Sequence, residues 1–420
     1  MSLQKRYSHQ IDEIRHTFEI VAQGFDHDKP VDNVLKGIFR SNKKYGSRDR
    51  RYISNSIFGY YRWLGWLKQL KIEEPNLHLL LGYLLDENKV DDFVEFWAKD
   101  CGLAPSIFSK LVSKQGLGLQ QKSEIMSGLV PNTDISLLNP KQFPENWNIN
   151  TIECFQQRPH LWIRFVENVS QSFLAFLSDR NIEYRLSETN SLSLEIMSPV
   201  NLNESTDFRQ GKLEIQDVTS QLVGIICQPA AGETWWDVCA GSGGKSLHLA
   251  SLMKGKGTVY STEVSSHYFK ELLKRSNRNY LYKNIEPLKW DGITRPNFDR
   301  KIDGVLIDAP CSSSGTWRRS PWLRWKTTSE LILHYSNLQY EILSRAAAWV
   351  SKGTPVVYAT CSIFPEENEK VIERFLKMFD DFTVENIEIL DSENASGMGI
   401  YLLPPRVNGN GMFVSRLIRQ

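Results

Sequence analysis

Only six of the 420 residues are cysteine, and no two of them form a C-x-x-C pair. That spacing suggests neither a zinc site nor a disulfide framework, so thiols in a reducing compartment are free for packing or chemistry. Long apolar runs are missing too. No stretch approaches the ~20 residues that span a bilayer, and the opening MSLQKRYSHQIDEIRH lacks the apolar core of a secretory leader. Charge of one sign is also lacking, with 50 Lys and Arg against 49 Asp and Glu. A nucleic-acid partner would therefore need locally clustered positive charge. These absences point to a cytoplasmic, metal-free chain that keeps away from membranes. Its composition is ordinary for a globular protein, 41% hydrophobic and 24% charged.

Pattern divides the chain into three parts. Through about residue 130, stretches such as RYISNSIFGYYRWLGWLKQL space their apolar residues three and four apart, as helices do. Between two of them, RSNKKYGSRDRR (40–51) sets six basic residues against the single acid Asp49. Residues 134–205 read as a small α+β module: strand HLWIRF, helix NVSQSFLAFLSDRN opening near Asn168, then strands EYRL and LSLEIM. Over 206–420 strands and helices alternate: TWWDVCA, KSLHLASLM, GTVYSTE, SSHYFKELLKRSNRNY, DGVLIDAP, SELILHYSNLQYEILSRAAAWV, PVVYATCS, PEENEKVIERFLKMF, and finally MFVSRLIR. Such alternation predicts an α/β fold, a mainly parallel sheet with helices on both faces and ligands at the carboxyl strand ends.

Two cysteines fall on that edge, Cys311 after VLIDAP and Cys361 after VVYAT. A lone cysteine after a strand is usually a small buried hydrophobe, but two placed alike, one beside an acid and a proline, suggest chemistry. The turn DVCAGSGGKS narrows the ligand. A phosphate-binding P-loop needs glycine where Cys239 stands, and a dinucleotide fingerprint needs one where Ser246 stands. The adenosyl group of S-adenosylmethionine remains, contacted by Cys239, Ala240, Gly241, Ser242, Gly243, Gly244 and Lys245. Glu263, about 20 residues further on, occupies the place of a ribose-binding acid. Asp291 could receive the adenine amino group.

DVCAGSGGKS, DAPCSSSGTWRR, YATCSIFPEENEKVI and NGMFVSRL, in this order, closely resemble the motifs of the RsmB/Sun-type (NSUN-like) RNA cytosine-C5 methyltransferases. The helical first part is more loosely similar to a NusB-like RNA-binding domain. The resemblance implies a Rossmann-like class I methyltransferase domain and S-adenosylmethionine as cofactor. It also implies Cys361 as the nucleophile, Cys311 in product release, and Asp308, which also borders the cofactor, at N3 of the base. Lys245 would orient Asp308. The chemistry asks for such groups. Cytosine C5 is too poor a nucleophile to take a methyl group until a thiolate has added at C6, and charge developing on the base needs a partner. Three departures stand out: Ser242 in the glycine loop, Glu263 for the more usual aspartate, and Ser313 where glycine commonly follows Cys-Ser.

RNA contact is expected from Arg318, Arg319, Arg324 and Trp322 in GTWRRSPWLRW, and from Arg40, Lys43, Lys44 and Arg48 in the basic stretch. Ribosomal RNA is favoured over transfer RNA as the partner, and a monomer is expected. The rivals are a DNA methyltransferase, disfavoured because Ser312 rather than glutamine follows Cys311, and a non-catalytic RNA-binding assembly factor.

Overall fold

A computed structural model describes residues 2–27, 29–70, 74–113, 116–130, 132–139, 143–144, 147–389 and 397–420. The amino-terminal part is helical, as its apolar spacing dictates: α1 (Leu3–Asp26), α2 (Val31–Ser41), α3 (Ser47–Leu67), α4 (Pro75–Leu85), α5 (Asp92–Asp100), α6 (Pro105–Val112), α7 (Leu119–Met126) and α8 (Ile149–Phe155). Buried Tyr52, Ile57, Trp63 and Trp66 of α3 meet Leu80, Leu84, Phe93 and Trp97 in its core. This unit runs from Met1 to Arg158, past the expected limit near 130, and takes in Trp317–Lys326 as well.

The second unit comprises Pro159–Thr316 and Thr327–Gln420. It opens with the small module: β1 (Leu161–Phe165), α9 (Gln171–Ser178), β2 (Tyr184–Leu186), β3 (Ser193–Ile196), α10 (Thr206–Arg209) and β4 (Leu213–Ile215). The strands form an antiparallel sheet in the order β2-β3-β1-β4, and α9 buries Phe173 and Leu177 against it. The module therefore spans about 159–215 rather than 134–205. Residues 134–158 belong to the helical unit, and β4 finds its partner in β1 across some fifty residues of chain.

The catalytic fold follows: α11 (Val218–Cys227), β5 (Thr234–Asp237), α12 (Gly244–Leu252), β6 (Thr258–Glu263), α13 (Ser266–Ser276), β7 (Ile285–Lys289), β8 (Gly304–Asp308), α14 (Leu323–Lys326, in the helical unit), α15 (Ser329–Ala348), β9 (Pro355–Thr360), α16 (Glu369–Met378), β10 (Phe382–Glu385), β11 (Ile400–Leu402) and β12 (Met412–Arg419). The sheet order is β10-β12-β9-β8-β5-β6-β7, with β11 paired to β12. β5 to β9 run parallel, and β12 is antiparallel to β9. Strand residues alternate between two cores. Trp235, Val259, Leu306 and Val357 meet α11, α12 and α13. Trp236, Tyr260, Val305, Ile307, Val356 and Tyr358 meet α15 and α16. Strand order reverses between β5 and β8, and open α/β sheets bind ligands at that switch point.

Candidate active site

β8 and β9 are parallel neighbours with Asp308 opposite Ala359, so the segments leaving their carboxyl ends rise side by side. Cys311 and Cys361 lie on these two segments, their Sγ atoms 3.2 Å apart. That is far beyond the ~2.05 Å of a disulfide, and both thiols are free. The contact is asymmetric. The hydrogen bond from Cys311 draws the Cys361 thiol below its ordinary pKa despite burial and the nearby Asp308 carboxylate, with help from Ser313 and Lys245. The same hydrogen bond, together with burial, pushes Cys311 well up. Of the two thiols, Cys361 is therefore the one whose ionisation its surroundings favour.

Lys245, at the start of α12, reaches Asp308 with Nζ 2.6 Å from Oδ2. Burial alone would drive its ammonium down, but Asp308 outweighs burial and holds it above its ordinary value. The lysine remains charged beside both Asp308 and the Cys361 thiol.

Glu367 was not singled out by the sequence. Fully buried, it accepts hydrogen bonds from Ser312 N (2.7 Å), Ser312 Oγ, Ser362 Oγ and Gln339 Nε2 (3.1 Å). It thus ties together the loops carrying both cysteines. Burial raises its pKa, although these donors oppose the rise. The sequence pattern predicts a single helix over PEENEKVIERFLKMF, yet a 3-10 turn at Pro365–Glu367 precedes α16. Asn368 causes the break. Its side chain accepts from Thr360 Oγ1 (2.6 Å) and donates to Ser362 O (3.0 Å). The doubled acid directly after TCSIFP was the available signal for Glu367.

A third segment closes the site. Gly315 N donates to Cys361 O and Gly411 N to Gly315 O, both at 2.8 Å. A Cβ on Gly315 would lie 2.0 Å from Gly411 O, so only glycine permits this approach.

Beside the thiols lies a cleft of about 580 Å³ lined by Cys239, Gly241, Glu263, Asp291 and Asp308 together with apolar Val264, Ile293, Pro310, Leu338 and Ile342. Gly243, at φ +89°, turns the chain into α12. Arg275 fixes the loop by donating to Ser242 O and Oγ, both at 3.1 Å. Of the loop residues expected at the cofactor, Cys239 and Gly241 line the cleft. Ala240, Ser242, Gly243, Gly244 and Lys245 are not among its lining residues and shape the turn. Glu263 accepts from Gly241 N (2.8 Å) and Ser265 N (2.6 Å), which aims its carboxylate at the cleft mouth. Asp291 is exposed and chiefly a turn residue, accepting from Ile293 N and Thr294 N, both at 2.8 Å. Apolar walls, an acid at the loop and bare backbone at Gly241, where a Cβ would meet open space, suit an adenosyl ligand.

The RNA-contact expectation needs correction in part. Trp322, Arg324 and Arg318 are buried, at 4%, 0% and 2% exposure. Trp322 stacks on Phe58, Arg324 Nη1 donates to Leu138 O (2.7 Å), and Trp325 Nε1 donates to Tyr61 O (2.7 Å). Helix-unit packing claims these side chains. Arg319 stays exposed. In the basic stretch Lys44 pairs with Glu13 and Arg48 with Asp91, both at 2.8 Å, while Arg40 and Lys43 are exposed.

The strand order, switch-point cleft and acid at the end of β6 define a Rossmann-like methyltransferase of the S-adenosylmethionine-dependent class. Comparison with known proteins narrows this class. Residues 224–418 match the family described as 16S rRNA methyltransferase RsmB/F. The ribosomal RNA small subunit methyltransferase B of Yersinia enterocolitica is 27% identical over 433 aligned positions, covering 95% of this chain and 97% of that protein. The crystal structure of PH0851 matches at TM-score 0.74 and 25% identity, over 97% of this chain and 99% of that one. NSun6 from Pyrococcus horikoshii, solved with SFG, shares the fold at TM-score 0.58 and 17% identity, over 64% and 93%.

Proposed function

We propose that the enzyme methylates C5 of a cytidine in RNA, with ribosomal RNA as substrate, through a covalent bond between Cys361 and C6. The thiol pair, 3.2 Å apart beside the Lys245–Asp308 contact and at the edge of the cleft, carries this reading. Bound S-adenosylmethionine supplies an electrophilic methyl group on a sulfonium. Cys361 thiolate adds to C6 and pushes electron density onto C5, N3 takes up a proton from water, and the Asp308 carboxylate, held by Lys245, accepts the hydrogen bond from the resulting N3–H. Once Cys361 sulfur is bonded to carbon, the contact that most strongly keeps Cys311 protonated is gone. Cys311 then assists release. C5 takes the methyl group with departure of S-adenosylhomocysteine; the Cys311 sulfur, ionised once its contact with Cys361 is lost, accepts the C5 proton, N3 returns its proton to water, the C5–C6 double bond re-forms and Cys361 leaves as a thiolate. Both faces of the target base must be reachable, so it is presented unstacked.

The names of the relatives, which act on ribosomal RNA, support the substrate class. Exposed Arg319, Arg40 and Lys43 are the proposed backbone contacts. Methyl transfer to RNA and denaturing electrophoresis test the scheme together. Cys361→Ala should give neither transfer nor covalent complex. Cys311→Ala should accumulate a protein–RNA species that survives denaturation, and the double variant should lose it. Reversed behaviour would exchange the two roles. RNA binding without transfer by the unaltered protein would favour an assembly factor.

A further inference from the structure

Ser313, two residues after Cys311 and beside Cys361, is held in a conformation that serine avoids. Its φ is +57°, in the left-handed region, which a residue with a Cβ adopts only at a cost relative to right-handed backbone. Glycine would sit there without strain. The loop leaves the residue no choice. Thr316 N (2.9 Å) and Thr316 Oγ1 (2.7 Å) both donate to Ser313 O, and the preceding Ser312 is anchored on Glu367. What serine gains over glycine is a hydroxyl, and its Oγ lies 3.6 Å from Cys361 Sγ. While Cys361 is a thiol it donates to Ser313 Oγ. Once it ionises, only the Ser313 O–H can donate.

We propose that Ser313 is a positioning residue whose hydroxyl donates to the Cys361 sulfur, holding the thiolate ready for attack and meeting it again when the sulfur is expelled. The proposal rests on Cys361 being the nucleophile. Direction of charge agrees. Among the influences on the Cys361 thiol, Ser313 favours the ionised form, as do Cys311 and Lys245, while burial and Asp308 oppose it. Tyr335 on α15 also faces the pair, and Glu367 faces Cys311. None of these groups is altered by replacing Ser313.

The test is Ser313→Gly, which removes the hydroxyl while relieving the backbone, so misfolding cannot mimic the result. Alkylation of Cys361 by iodoacetamide, followed by peptide mass spectrometry across a pH series, reads the thiolate directly and without RNA. The midpoint should rise by about one pH unit, the size of one charge-assisted hydrogen bond. Covalent-complex formation should slow roughly tenfold at neutral pH, while S-adenosylhomocysteine binds as before. An unchanged midpoint in Ser313→Gly would overturn the proposal, leaving the serine a loop residue only. Methyl transfer by Cys361→Ala would instead remove the nucleophile reading beneath it, an outcome read in a different variant.

Discussion

Residues 308–315 and 317–326 adjoin in the chain and look equally functional as text, one rich in thiol and hydroxyl groups, the other in arginine and tryptophan. Their fates diverge. The first segment stays at the strand ends, with Cys311 and Ser313 half-buried against Cys361. The second puts Trp317, Trp322 and Arg324 into the interior of the helical unit. Residue type announces chemistry only where the backbone leaves the side chain reachable. Arg324 shows the cost of the alternative, since burial drives its guanidinium down to about 9.

Substitutions in the two segments should separate stability from catalysis. Trp322→Ala should cost about 3–5 kcal/mol of helical-unit stability, as truncating a buried indole usually does, and leave S-adenosylhomocysteine affinity intact. Thermal melting and calorimetric titration check the pair. An unshifted melting temperature would return Trp322 to the surface and to RNA. Asp308→Asn should lower the chemical rate by about 10²–10³-fold, the range for losing an electrostatic partner in the transition state, while the cofactor still binds. Glu263→Ala should do the opposite, weakening cofactor binding roughly tenfold or more because the ribose loses a charged acceptor. Equal affinities in these two variants would break the assignment of the cleft. The smallest effect belongs to the surface. Arg319→Ala with Arg40→Ala and Lys43→Ala should each reduce the slope of log affinity against log salt by about 0.7–0.9, where Arg324→Ala should not.

Much of the catalytic fold was legible because its strands are short apolar runs flanked by helical spacing, and the sheet edge then collected Asp308, Cys311 and Cys361. Glu263 and the glycine turn were legible from spacing alone. Glu367 was not, since its role exists only where the loops after β8 and β9 meet. Nor was β4, whose partner β1 lies far back in the chain, nor the edge strands β10 and β11, which are too short to show a period. The burial of Arg324 and Trp322 is a tertiary decision that outweighs the polarity of the local text. Ser313 was visible as a departure from glycine, but its left-handed backbone and the hydroxyl's proximity to sulfur required coordinates.

One consequence concerns modularity. The polypeptide crosses between its two units three times, after Arg158, after Thr316 and after Lys326. A fragment beginning at residue 159 would carry a stranded hook, with Trp322, Arg324 and Trp325 severed from Phe58, Leu138 and Tyr61 and turned toward water. Recombination that exchanges the amino-terminal unit for an unrelated one has to rewrite that hook as well. Neither unit is therefore a cassette that can be lifted out at a single cut.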